Sequence, residues 1–99
     1  MTFGYPHMRV FLLTFNGERK FFLDFLDTRP EILNWFAVLD QAIVVVSRSD
    51  VATLSHVLHD GLPSYFFIFA EIDITRVNGW MNMEAWEFIK VPKSSGRWP

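Results

Sequence analysis

Apolar residues fall in blocks along the chain, and the punctuation between blocks separates strands from helices. Arg9 to Phe15 is apolar almost throughout, with β-branched and aromatic types, as expected of a central strand buried on both faces. Asn16-Gly17-Glu18 breaks the run with turn chemistry. From Arg19 to Thr28, Phe22, Leu23, Phe25 and Leu26 make an apolar stripe on a short helix that Arg29-Pro30 ends. Ile32 to Leu39 and Ala42 to Ser47 are β-rich runs separated by Asp40-Gln41, a hairpin pattern lacking the favoured turn glycine. Ser49 or Asp50 caps a helix with apolar positions at Val51, Leu54, Val57 and Leu58. Gly61 is placed to end it, with Pro63 beyond. Tyr65 to Ile72 reads as a fourth strand, apolar on both faces until Glu71. After the polar connection 73–79, Asn82 caps a last helix, Met83 to Lys90. Alternation over Trp86 to Val91 also fits a strand.

This order predicts an α+β fold: a ferredoxin-like βαββαβ sandwich with a four-stranded antiparallel sheet in the order 4-1-3-2 and an appended C-terminal helix. The expected domain covers residues 8–91, with 1–7 and 92–99 as flexible extensions and Trp98 an exposed tail aromatic. The fourth strand lies at a sheet edge yet is the most aromatic segment. Such an edge needs a cover, either the C-terminal helix or a second copy of the chain. A homodimer with Phe66, Phe67 and Phe69 at the shared edge is the expectation.

Composition narrows the chemistry. The 99 residues include no cysteine, which excludes a disulfide scaffold and thiolate metal sites. Nine Lys+Arg against eleven Asp+Glu give a net charge of −2, unlike a dedicated electrostatic binder of nucleic acid. Neither AIVVV nor YFFIFA is long enough to cross a membrane, and the N-terminal MTFGYPH lacks a signal-peptide pattern, so a cytoplasmic location is expected.

The segment WFAVLDQAIVVVS, the capped helix after it, the strand ending in Glu, then NGW and EAWEFI resemble the small bacterial proteins termed SinR-like. (These are distinct from the helix-turn-helix repressor sharing that name.) The resemblance spans about Met8 to Lys90. That group is similar in turn to the CRISPR adaptation-subunit nucleases and the VapD-type toxin ribonucleases, small ferredoxin-like dimers. In those nucleases a Tyr-Asp pair ends the first strand, and two such aspartates, one per subunit, hold a divalent metal at the dimer axis. Here Phe15 and Asn16 stand at those positions. A neutral amide supplies no charge to offset dehydration of magnesium, so the resemblance implies a vestigial site at Asn16, with no metal or other cofactor expected.

Other candidates are weaker. His56, His59 and Asp60 share one side of the second helix, which a solvated face explains without zinc. Glu71 and Asp73, two residues apart, fit acid–base work or simply the emergence of a strand into water. Arg76, Asn78 and Trp80 form a candidate ligand surface on the late loop. Arg9, Arg48, Arg76 and Lys90, together with sheet aromatics, leave an RNA-binding role open. The leading expectation is a non-catalytic interaction or assembly module with a second copy, a protein or RNA as partner. The alternatives are a metal-dependent endoribonuclease using Asp24 or Glu71, and an RNA-binding regulator.

Overall fold

A computed structural model describes residues 8–96. The extension 1–7, the end of the tail and Trp98 lie outside the described residues. The elements are β1 (Arg9–Phe15), α1 (Arg19–Leu26), β2 (Ile32–Leu39), β3 (Ala42–Ser47), α2 (Val51–Gly61), β4 (Phe67–Ile72) and α3 (Met83–Lys90). The sheet is antiparallel in the order β2-β3-β1-β4, the ferredoxin-like arrangement the sequence predicts.

Strand alternation sends side chains to two faces with different covers. Phe11, Leu13, Phe15, Ile43, Val45 and Phe69 meet Phe22 and Leu26 of α1 and Leu54 and Leu58 of α2 in the larger core. Phe15 stacks on Phe22 at 4.1 Å between ring centroids, and Phe11 meets Phe69 edge-on at 6.0 Å. The opposite face carries Val10 and Val44, on which Ile89, Trp86 and Phe88 of α3 pack with Ile74, Val77 and Met81 from the loop before it. Phe88 lies 5.4 Å from Phe36 of β2. The C-terminal helix therefore packs on the face opposite α1 and α2, over Val10, Val44 and Phe36, with Ile72 at the end of β4 in the same cluster, and leaves Phe66 and Ile68 exposed. Its stripe of Ala85 and Ile89 needed a surface as wide as a helix, which a sheet face offers and a single strand edge does not.

Local chemistry explains the boundaries. Asp50 caps α2 by accepting a 2.8 Å hydrogen bond from the Thr53 N–H, and Asn82 caps α3 through the Ala85 N–H at 2.9 Å. Gly17 adopts a left-handed φ of 99°, as the turn after β1 requires. Gly61 does not have this conformation. It is the last residue of α2, and a Cβ built on it would meet the Phe25 ring of α1, so the position is small to let two helices approach. No non-glycine residue among those described has positive φ, so Asp40-Gln41 does not form the turn type ideal for a two-residue hairpin. The register of β2 on β3 shifts beside that turn, between Ala37 and Leu39. The buried Ser47 is satisfied on both sides: its hydroxyl donates to the Glu31 carbonyl at 2.6 Å and accepts from the Ser49 N–H at 3.0 Å.

One strand boundary differs from the sequence reading. β4 begins at Phe67, because Tyr65 turns its ring onto Phe22 and Phe21 rather than pairing in the sheet. The first residues after α3 are anchored: the Ser95 N–H donates to the Leu33 carbonyl at 2.8 Å, and Asn34 Nδ2 donates to the Lys93 carbonyl at 3.1 Å. Lys93 and Ser95, in the segment expected to be a flexible extension, thus bond to the start of β2.

Candidate functional site

The corner where β1 ends and β4 begins is the candidate site. The Asn16 N–H donates to the Phe66 carbonyl at 3.2 Å, and the Phe66 N–H donates to Asn16 Oδ1 at 3.3 Å. Asn16 thus adds one more rung to the β1–β4 ladder, its side chain replacing a backbone acceptor. The amide oxygen that would face a cation is committed to this backbone N–H. Around it lies a shallow depression lined by Thr14, Phe15, Asn16, Phe66, Phe67 and Ile68, none of them ionisable.

The three phenylalanines marked by the sequence separate in space. Phe69 is 9% exposed and belongs to the helix-side core, and Phe67 is half-buried against the same cluster. Phe66 is 81% exposed. The sequence reading missed Ile68, which is 67% exposed on the open face, next to an exposed Ala70. β4 is apolar on both faces, so its pattern gave no parity from which to tell an inward Phe69 from an outward Ile68. The same strand presents a free backbone edge, since β1 pairs with one side of it and no described strand pairs with the other.

The candidate chemical groups stay apart. Glu71 lies 3.9 Å from Arg9, whereas Asp73 accepts hydrogen bonds from the Thr75 hydroxyl at 2.6 Å and the Thr75 N–H at 2.9 Å. These bonds, the hydroxyl's foremost, hold the Asp73 carboxyl below its ordinary pKa. Asp24 pairs with Lys20 at 2.8 Å within α1. His56, His59 and Asp60 are exposed on α2, and among the described residues no three His, Asp or Glu side chains converge as a metal site would require.

In the loop after β4, the Arg76 N–H donates to the Asp73 carbonyl at 2.9 Å and Asn78 Oδ1 accepts from the Gly79 N–H at 2.8 Å. Trp80 is wholly exposed, and the loop brings Arg76 and Asn78 to the surface beside it in sequence. No known family model, curated protein or solved structure matches the chain. No helix among the described residues is long and apolar enough to cross a membrane.

Proposed function

We propose that this chain is a non-catalytic assembly module whose partner is a second copy of itself, docked at the β4 edge. The observation that supports this most is the combination at one edge of unpaired backbone with exposed Phe66 and Ile68, at 81% and 67%. An isolated edge of this kind is costly to leave in water, because its apolar side chains and open ladder both favour pairing with another strand.

The chemistry of the corner favours a protein partner over RNA. A sheet that stacks bases needs cations nearby for the phosphates. The depression beside Phe66 has no Lys or Arg in its lining, and Arg9, the cation nearest β4 in register, is paired with Glu71. The sequence resemblance to small ferredoxin-like dimers agrees with a homodimer, and Asn16 in place of the family aspartate agrees with an assembly role rather than cleavage.

The test is mass in solution by light scattering over a range of concentrations. The wild-type chain should be a dimer, and Phe66→Lys should be a folded monomer with unchanged circular dichroism. A wild-type monomer at every concentration, or a Phe66→Lys dimer as tight as wild type, overturns the reading.

A further inference from the structure

The backbone geometry of β4 also defines how a second copy would pair, an inference that rests on the edge-docking reading above. In an antiparallel ladder, residues alternate between those exchanging both backbone hydrogen bonds with one neighbour and those turned to the other side. Phe66 directs both its N–H and its C=O toward Asn16 at the end of β1. An independent check comes from β1, where the Phe15 N–H donates to Gln41, on the β3 side, so that Thr14 and Asn16 bond toward β4. By alternation Ile68, Ala70 and Ile72 also bond toward β1. Phe67, Phe69 and Glu71 turn their N–H and C=O groups to the free edge.

From this we infer that two copies pair β4 to β4 antiparallel, with Phe69 of each on the two-fold axis, as one continuous eight-stranded sheet. This register satisfies all three outward residues: Phe69 faces its own copy and Phe67 faces Glu71, at two bonds per pair on the order of six in all. Centring the pair on Glu71 would set two carboxylates against each other, a like-charge cost, and would leave most of each strand unpaired. With Phe69 at the centre, Glu71 stays beside Arg9 and meets an aromatic ring across the interface instead.

Side-chain shape supports the same register. On the open face, the cross-strand neighbours become Ile68 with Ala70 and Phe66 with Ile72. These are pairs without mutual hydrogen bonds, where side chains approach most closely. The large exposed Ile68 meets the small Ala70. Phe66, bare in one copy, meets Ile72 of the other, which is already packed against the Val10 cluster. The uncovered end of each stripe thus fits the covered end of its mate. One consequence follows for Asn16. The two β1 strands are then separated by three strand spacings, roughly 14 Å. The two Asn16 side chains therefore lie too far apart to share one ion.

Cysteine cross-linking tests the register directly, because the chain has no native cysteine and residues 68 and 70 face solvent. Ile68→Cys and Ala70→Cys are made separately, given different mass tags, and oxidised alone and mixed. Facing positions satisfy disulfide geometry, and positions offset by two residues on opposing strands do not. The expected result is a mixed disulfide dimer forming at least ~tenfold faster than either variant cross-links with itself. If Ile68→Cys or Ala70→Cys cross-links alone at the faster rate, the register is overturned while edge pairing stands. If light scattering shows a dimer but no combination cross-links, both the register and the β4 edge are overturned.

Discussion

The two edges of the sheet receive opposite treatment. β2 is interrupted twice, with register shifts between Ile32 and Asn34 and between Ala37 and Leu39, and the chain's own residues 93–95 bond to Leu33 and Asn34. Bulges and a docked segment are standard means of keeping a strand from recruiting another chain. β4 has neither: its register on β1 runs without a break from Val10–Ile72 to Phe15–Phe67. Its one ionisable residue, Glu71, sits near the end. One sheet thus protects one edge and leaves the other regular and apolar, an asymmetry that supports the proposed docking at β4.

Equal insults to both edges put that contrast at risk. Phe66→Lys should weaken self-association more than ~tenfold. Leu39→Lys, at an exposed apolar position on the β2 side, should leave the measured mass unchanged. Equal effects of the two would erase the distinction. A smaller change should expose the guarded edge. Ser95→Pro removes the N–H that reaches Leu33, and should cost about 1 kcal/mol in urea unfolding. It should also produce, in the Phe66→Lys background, a new concentration-dependent association.

Asn82→Ala removes the cap of α3 and should cost about 1 kcal/mol, read as an earlier loss of tryptophan fluorescence on denaturation. If dimerisation depends on β4 alone, that loss leaves the dimer mass unchanged. The smallest effect concerns acid. Asp73 has its pKa lowered by the Thr75 hydroxyl and N–H, so this contribution is complete above the unfolded carboxyl value near ~4 and is lost as pH falls through the folded value. The turn following β4 should therefore loosen below about pH 4. In Asp73→Asn, the part of the acid transition reported by amide signals of residues 73–76 should shrink.

Strand order and helix positions were legible because β-branched runs, Asn82, Asp50 and the Gly17 turn each carry a local signal. What escaped depended on contacts distant in sequence. Gly61 looks like a helix stop when read alone, and only the Phe25 ring from another helix reveals why it is small. The α3 stripe announced a buried face without saying which surface buries it. In the candidate site, Asn16 and Phe66 stood out in the sequence, but the side-chain rung that joins them, the inward Phe69 and the outward Ile68 did not. No pattern within an all-apolar strand marks which residues point outward.

The Asn16–Phe66 rung joins residues 50 positions apart, and the β1–β4 pairing it closes is among the longest-range in the fold. Closing such a loop is entropically slow, whereas the β2–β3 hairpin forms through a two-residue turn. The strand with the greatest appetite for a partner is thus among the last to be claimed by its own chain. During refolding, β1 of the same molecule competes with strands of other molecules for β4, and the balance shifts with concentration. Dilution gives the intramolecular partner time to arrive first. The same edge on which the proposed assembly rests makes folding a race.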